Sequence, residues 1–135
     1  MQHLVLALVT AAALTGPALA VDNDQKVPTR EAEFTTAPKE SVLSYNLIGL
    51  KLVDGRQNTV GEIKDIVIAN GQLAGYIVSV GGFLGMGERY VVVKPDSIAL
   101  GYDEAGKQWK GIVAASKDQL KSAPEFKYEG KFDRK

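Results

Sequence analysis

The dipeptide Asn70-Gly71 separates two apolar segments, and it constrains the fold more than any other feature of the chain. Asn and Gly readily adopt the positive φ angles of a two-residue hairpin turn. Residues 60–68 before it are rich in Val and Ile, and residues 73–80 after it place an apolar side chain at every second position. Both patterns are typical of strands. The region therefore predicts an antiparallel β-hairpin.

Further short segments of this kind occur on both sides of the hairpin. They cover residues 48–52, 88–93, 98–102 and 109–113, and turn-forming residues separate them. Several short strands with close turns are typical of a small barrel or sandwich, and closure of a barrel removes exposed sheet edges. We therefore predict an all-β fold, a small closed or nearly closed barrel of six strands.

Two details of this barrel can also be predicted. Segment 60–68 breaks strict alternation, because Ile63 and Ile66 share a face only if one extra residue lies between them. A β-bulge near Lys64-Asp65 is therefore expected. A small barrel also needs large side chains to fill its core. The sequence offers Tyr76, Phe83, Tyr90 and Trp109 for this purpose.

One short helix is predicted near the C-terminus. Ser116 and Gln119 have the spacing of a capping box, residues 117–122 are mostly good helix formers, and Pro124 ends the run. The barrel domain is expected to cover residues 43–127. The tail that follows, residues 128–135, is expected either to extend along the surface or to remain loose.

The first residues have the composition of a secretory signal peptide, predicted over residues 1–20. The apolar run at 4–14 is too short to span a bilayer, and Ala18-Leu19-Ala20 matches the cleavage pattern of small residues. We expect cleavage after Ala20 and a periplasmic location. The alternatives are an uncleaved anchor or a buried helix, since Met1-Gln2-His3 carries no Lys or Arg.

The next segment, residues 21–42, is predicted to be a flexible spacer. It mixes acidic and basic residues, contains Pro28 and Pro38, and shows no apolar period. Segments of this composition bury too little apolar surface to fold. The simpler interpretation of this spacer is an idle tail, and the alternative is a segment that holds the barrel domain away from a membrane or another domain. Either is compatible with a peripheral position near a membrane.

Charge and composition exclude several classes of function. The 16 basic and 16 acidic residues give no net charge, so the chain has no basic stripe for nucleic acid. Cys is absent and the single His is His3, which is lost with the signal peptide. A serine nucleophile would therefore lack its base, and a thiolate metal site is excluded. We expect no enzymatic activity, no cofactor and no metal site.

The glycine-rich loop 81–87 carries three apolar side chains, Phe83, Leu84 and Met86. It matches neither glycine-rich phosphate-binding pattern and contains no Lys, Ser or Thr, so nucleotide binding is not expected. Apolar side chains on a loop either plug the mouth of the barrel or form a contact patch. Both interpretations stay open at the level of sequence.

Several stretches resemble the PRC-barrel domain. They are Ser44-Tyr45-Asn46-Leu47-Ile48-Gly49, Val60-Gly61-Glu62-Ile63-Lys64-Asp65, the residues from Val78 to Gly87, and the ending from Leu120 to Phe126. The family includes the barrels of the photosynthetic reaction centre H subunit and of a ribosome maturation factor. The resemblance implies a small β-barrel that serves as a docking module and has no common catalytic site. This chain is most similar to exported, free-standing members.

The function expected from these observations is non-catalytic docking in the bacterial envelope. Phe83, Leu84 and Met86 would form the apolar contact, and Glu88 and Arg89 would give its polar rim. The partner would be another protein or a second copy of the chain. The alternative is a barrel that binds a small ligand at its mouth, or a cation at Glu62 and Asp65.

The pair Glu62 and Asp65 has two interpretations. The two carboxylates could share a cation or a proton, but three positions apart on a regular strand they point to opposite faces. Only the predicted bulge would bring them together. The simpler interpretation is a surface Glu and a turn-stabilising Asp.

Overall fold

The computed structural model describes residues 27–81 and 87–134. The predicted signal peptide, residues 21–26 of the spacer, and Phe83, Leu84 and Met86 lie outside the described residues. The chain divides into two compact units, Met1–Thr36 and Ala37–Lys135. In the first unit, the described residues 27–36 contain no helix or strand, and all are exposed.

The second unit is built on one sheet of seven strands. The strands are β1 (Lys51–Val53), β2 (Thr59–Ala69), β3 (Gln72–Val80), β4 (Arg89–Val93), β5 (Ile98–Asp103), β6 (Gln108–Val113) and β7 (Glu125–Phe126). Their order is β5-β6-β1-β2-β3-β4-β7. All neighbours are antiparallel except β1 and β6, which are parallel.

Within the part of the chain that the structure describes, helical structure is limited to short segments. The helices are α1 (Ser44–Leu47) and α2 (Lys117–Ser122), and 3-10 turns cover Pro95–Ser97 and Gly130–Phe132. The predicted C-terminal helix is confirmed as α2, with both hydrogen bonds of the capping box between Ser116 and Gln119. No helix among residues 27–81 and 87–134 has the length and apolar character needed to cross a membrane.

The predicted hairpin is confirmed. Asn70 and Gly71 have φ angles of 53° and 75°, the combination that a tight turn between antiparallel strands requires. The register places Ile66 opposite Tyr76. Strands β2 and β3 form the long central ladder of the sheet because this turn directs one back along the other.

The predicted bulge is also present. The register of β2 against β3 shifts between Ile63 and Asp65, so that Ile63 lies opposite Val78 and Ile66 lies opposite Tyr76. Val78 and Tyr76 are two positions apart and share a face, and therefore Ile63 and Ile66 share it too. This face, which we call the inner face, carries the core.

The core of the domain consists of buried apolar side chains on the inner face and on the two helices. Its members are Leu47, Leu52, Val60, Ile63, Tyr76, Val78, Val80, Val91, Ile98, Val113 and Leu120. Tyr76 fills the core as expected, whereas Trp109 and Tyr90 do not belong to it. Trp109 packs on Tyr102 near the turn between β5 and β6, and Tyr90 lies opposite Ser79 on the other face of the sheet.

Three sequence predictions about the barrel are corrected by the structure. Seven strands are present rather than six, because Glu125–Phe126 pairs with β4 after Pro124 has ended the helical segment. The strand expected from residue 48 begins only at Lys51, because α1 and Gly49 at φ +90° form a turn first. The sheet is not closed: within the described residues, β5 and β7 each pair with a single neighbour.

Candidate functional site

A second apolar layer lies on the face of the sheet opposite the core, which we call the outer face. Ile77 projects there from β3 and is only 4% exposed, although it is not a member of the core cluster. Its neighbour Val92 on β4 projects to the same face, because the two residues are paired in register. The residues that cover Ile77 come from the end of the chain.

Aromatic residues of β7 and of the C-terminal tail form this cover. The ring centroids of Phe126 and Tyr128 are 5.0 Å apart, and those of Phe126 and Phe132 are 5.7 Å apart. Tyr128 also meets Tyr90 of β4 at 5.1 Å in an edge-on arrangement. Aromatic pairs at these distances stabilise one another beyond their buried area. The tail thus lies along the sheet surface, one of the two arrangements expected from sequence.

Arg134 fixes the end of this tail. Its guanidinium lies over the Tyr128 ring at 4.0 Å and donates a hydrogen bond of 2.9 Å to the Tyr128 hydroxyl. Burial raises the pKa of the Tyr128 hydroxyl, and the charge of Arg134 opposes that rise. The cation therefore stabilises the tail through both the face and the hydroxyl of one ring.

Between the tail and the sheet lies an open groove of about 310 Å³, which we call the outer groove. We define it by Asp65, Ile68, Ile77, Val92, Phe126 and Phe132. Ile68 is 64% exposed, Val92 45% and Phe132 52%. Contiguous apolar side chains left open to water on a rigid sheet are typical of interaction sites. The groove is the candidate functional site.

A charged cluster borders this face, with side chains from β2 and from the start of β4, the two strands that flank β3. Lys64 Nζ is 3.2 Å from Glu62 Oε1 and 3.7 Å from Glu88 Oε1, and the Tyr90 hydroxyl donates to Glu88 Oε2 at 3.0 Å. The hydrogen bond to Glu62 raises the pKa of Lys64, with a further rise from the charges of Glu62 and Glu88. Burial is the main cause that raises the pKa of Tyr90, and the hydrogen bond to Glu88 raises it further.

The bulge brings Glu62 and Asp65 to the same face, opposite Ser79 and Ile77 respectively. Glu62 is already paired with Lys64, and Asp65 Oδ1 accepts the Ile66 backbone N–H at 2.9 Å. The described residues contain no group of three or more acidic, His or Cys side chains placed to hold a metal ion. A cation at this pair would therefore have to displace Lys64.

The two residues predicted to form a polar rim are placed differently. Glu88 is exposed and bonded to Tyr90, as described above. Arg89 is half-buried, donates through Nη2 to the Ala123 carbonyl, and has Nη1 3.6 Å from Glu125 Oε2. Arg89 therefore ties β4 to the segment between α2 and β7. Phe83, Leu84 and Met86, the predicted apolar contact, lie outside the described residues.

Both ends of the predicted contact loop are glycines with positive φ, Gly81 at 75° and Gly87 at 80°. A polar pocket of about 210 Å³ lies beside them, lined by Lys51, Thr59, Glu62, Ser79, Glu88 and Lys117. Its lining mixes both charge signs, and the Ser79 hydroxyl lies 3.5 Å from the Glu62 carbonyl oxygen. Nothing in this pocket selects a particular ligand.

The outer groove was not singled out by the sequence. Phe126, Tyr128 and Phe132 alternate with charged residues, a pattern that left open whether the tail lies on the surface or stays loose, and their partners on β3 and β4 are distant in the chain. Ile77 and Val92 resemble any other strand residues in sequence. Only the register of β3 with β4 shows that both face the tail.

Comparison with known proteins finds similarity to solved structures and to one family model. The solved structures include a match to a putative 16S ribosomal RNA processing protein, RimM, from Pseudomonas aeruginosa, with 21% sequence identity and a TM-score of 0.39. That match covers 61% of this chain and 50% of the other, so the chain spans about half the length of that structure. A search of the curated proteins gave no match.

The sequence model of the PRC-barrel domain covers residues 39–120, which is most of the unit formed by Ala37–Lys135. The resemblance recognised in the sequence is thereby confirmed, and the all-β sheet with little helix agrees with it. The outer groove extends beyond the matched region, since Phe126 and Phe132 follow residue 120. The chain belongs to the PRC-barrel domain family.

Proposed function

We propose that this chain is a non-catalytic docking module that holds an apolar segment of another protein in the outer groove. The observation that supports the proposal is the exposure of Ile68, Val92 and Phe132 around one groove on the outer face of the sheet. Water-exposed apolar area of this kind is stabilised when a partner covers it.

The shape and lining of the groove favour a protein partner over a small molecule. Its volume of about 310 Å³ lies at the lower end of the range for ligand pockets, and it is open to solvent. Asp65 is the one carboxylate in its lining, and no ion pair involves Asp65 among the described residues. An extended apolar segment with one neighbouring basic residue complements this surface in both shape and charge.

The proposal that the module is not an enzyme rests on the chain's inventory of reactive groups. Cys is absent and the single His, His3, belongs to the predicted signal peptide. The titratable cluster around Lys64 is internally paired, and its members bond to one another. Periplasmic location is part of the same proposal, and a contact through Phe83, Leu84 and Met86 is the alternative docking site that the experiments below distinguish from the groove.

The proposal can be tested by cross-linking in cells and capture from the envelope fraction. The chain is compared with its Val92→Lys variant, which places a charge in the groove. Ile48→Lys is the matched control, because Ile48 is also β-branched, is 44% exposed, and lies before β1. We expect one partner to be captured by the wild type and the control and to be lost with Val92→Lys.

A further variant, Phe83→Asp, separates the groove from the loop. If Phe83→Asp loses the partner while Val92→Lys retains it, the docking site lies on the loop and the proposal for the outer groove is wrong. Equal loss with Val92→Lys and Ile48→Lys would show that capture does not depend on the groove. Asp65→Asn should weaken capture most at low salt, because screening reduces an exposed charge interaction.

A further inference from the structure

Strand β5 is an open edge of the sheet. It is six residues long, pairs with β6 on one side, and among the described residues has no strand on the other. Edge strands present unpaired backbone N–H and C=O groups, and proteins normally protect them. The capacity of β5 to pair with another strand therefore depends on which of these groups face outward and on whether the edge is protected.

The hydrogen-bond pattern determines which backbone groups of β5 face outward. Ala114 N–H donates to the Ser97 carbonyl at 2.9 Å, so the pair Ser97 and Ala114 is a hydrogen-bonded one. Such pairs alternate along an antiparallel ladder, and Ala99 and Gly101 therefore direct their backbone groups toward β6. Those of Ile98, Leu100 and Tyr102 point to the open edge.

Most of the outward groups have no partner among the described residues. The Ile98 N–H donates to the Pro95 carbonyl, so only the C=O of Ile98 remains without a described partner at this edge. Leu100 and Tyr102 have no backbone hydrogen bond beyond those of the strand ladder in the described part of the chain. Three carbonyls and two N–H groups therefore remain at this edge.

The two ends of the sheet are protected differently. Strand β7 at the other end has only two residues, follows Pro124, and carries the charged Glu125. Short length, proline and charge are three ways in which proteins protect an edge. Strand β5 has none of them between Ile98 and Tyr102, where every residue is apolar, Gly or Tyr.

The side chains on the outer face of β5 are small enough to leave room for a second strand. Ala99 and Gly101 are exposed, and no atom lies within 4 Å of the position that a Cβ on Gly101 would occupy. Asp103, at the end of the strand, is paired with Lys110 at 3.0 Å, so its charge is compensated within the chain. Backbone can therefore approach β5 closely without burying an unpaired charge.

We propose that two copies of this chain pair through β5 as antiparallel strands, with Leu100 of one copy opposite Leu100 of the other. In this register, each Leu100 N–H donates to the other copy's Leu100 carbonyl. Each Tyr102 N–H donates to the Ile98 carbonyl of the other copy, so the engaged Ile98 N–H is not needed. The strand is self-complementary, as a two-fold interface requires.

The second copy fits this edge better than an unrelated strand, because the two chains satisfy one another symmetrically. On one face Leu100 meets Leu100 and Ile98 meets Tyr102, which continues the apolar inner face. On the other face Ala99 meets Gly101, and these small residues permit close approach. A single strand pair buries little surface, so the dimer is weak and depends on concentration. It uses a different surface from the outer groove.

The first test is sedimentation of the full chain over a range of concentrations, with Gly101→Lys as the variant. Lys on an edge strand opposes pairing, and its Cβ meets open space. Gly55→Lys is the matched control, since its Cβ also meets open space and Gly55 lies outside the strands. We expect the dissociation constant of the dimer to rise at least about tenfold for Gly101→Lys and to stay unchanged for Gly55→Lys.

The second test fixes the register and uses the absence of Cys from the chain. Ala99 and Gly101 of opposite copies form a non-hydrogen-bonded pair, whose close spacing of about 4.5 Å suits a disulfide. A mixture of Ala99→Cys and Gly101→Cys chains should therefore cross-link faster than either variant alone. A monomer at every concentration, a dimer that persists in Gly101→Lys, or faster cross-linking of the separate variants would overturn the proposal.

Discussion

Ile63 and Ile66 lie on the same face of β2 although they are three positions apart in sequence, because Lys64 and Asp65 together oppose the single residue Ile77. This bulge sends both Ile side chains toward the core and keeps Asp65 on the outer face. The charged bulge residue Lys64 is held by Glu62 and Glu88. One extra residue therefore determines which face of β2 is apolar.

Deletion of Lys64 is expected to leave the fold intact. Without Lys64, Ile63, Asp65 and Ile66 follow regular alternation and retain their present faces. The deletion removes only the ion pairs of Lys64 with Glu62 and Glu88. We therefore expect the free energy of unfolding to fall by no more than about 2 kcal/mol. Chemical denaturation measures this change.

Deletion of Ile77 from the opposite strand is the matched comparison. β3 has no bulge at that point, and removal of one residue turns the side chains on one side of the gap to the wrong face. We expect this variant not to fold. A Lys64 deletion that unfolds as completely as the Ile77 deletion would show that the bulge is needed for curvature rather than for register.

The substitution Gly61→Ala is expected to destabilise the sheet. A Cβ at Gly61 would lie 2.7 Å from both the Ser79 carbonyl oxygen and Val78 Cγ1, well inside van der Waals contact. The oxygen belongs to the backbone of β3, so relief requires the strands to separate. Overpacking of this kind costs about 1–3 kcal/mol.

Thermal unfolding compares this variant with Gly55→Ala, whose Cβ would meet no atom within 4 Å. We expect the melting temperature to fall for Gly61→Ala and to change little for Gly55→Ala. Equal melting temperatures for the two variants would mean that β2 and β3 can move apart at no cost.

Local signals explain which parts of the fold could be predicted from sequence. The turn at Asn70 and Gly71 and the capping box of Ser116 and Gln119 each depend on residues within a few positions of one another. Strand order depends on contacts across the whole chain. The parallel pairing of β1 with β6 brings Leu52 opposite Gly111, and no pattern in either segment indicates the other.

The outer groove shows the same limit at the level of the site. The buried Ile77 lines the same groove as Phe126 and Tyr128, which come from the end of the chain. The two-residue strand β7 that positions them is too short to be detected from alternation. Sequence reasoning therefore chose the apolar loop residues 83–86 and overlooked apolar strand residues whose exposure depends on tertiary structure.

Acid should weaken the turn between β1 and β2. Asp54 Oδ1 accepts the backbone N–H groups of Arg56 at 2.8 Å and Asn58 at 2.9 Å. The backbone hydrogen bond from Asn58 is the main cause that lowers the Asp54 pKa below its ordinary 3.8. A lowered pKa in the folded state stabilises the fold above the unfolded value, and this contribution is lost as the pH falls through the folded pKa.

The variant Asp54→Asn tests this dependence, because it keeps an oxygen acceptor but does not titrate. We expect it to melt below the wild type at pH 7 and the difference to shrink below about pH 4. Melting curves at several pH values measure the difference. If the difference in melting temperature is the same at pH 7 and at the lowest pH measured, the charge of Asp54 does not contribute to stability.

Arg89 is expected to act as a structural link between β4 and the C-terminal segment. Its guanidinium donates to the Ala123 carbonyl and lies 3.6 Å from the Glu125 carboxylate. Truncation by Arg89→Ala removes a charged hydrogen bond and leaves that carbonyl without its partner, which costs about 1–3 kcal/mol. β7 begins two residues after Ala123, so the loss should also loosen the aromatic tail.

Two measurements separate this role from a polar rim for docking. Chemical denaturation should show lower stability for Arg89→Ala than for Arg56→Ala, since Arg56 is exposed in the turn before β2. Hydrogen exchange should show faster exchange at the Phe126 amide in Arg89→Ala, because the β7 pairing weakens. If partner capture falls while stability and exchange match the Arg56→Ala control, Arg89 contributes to the docking surface and not to the attachment of the tail.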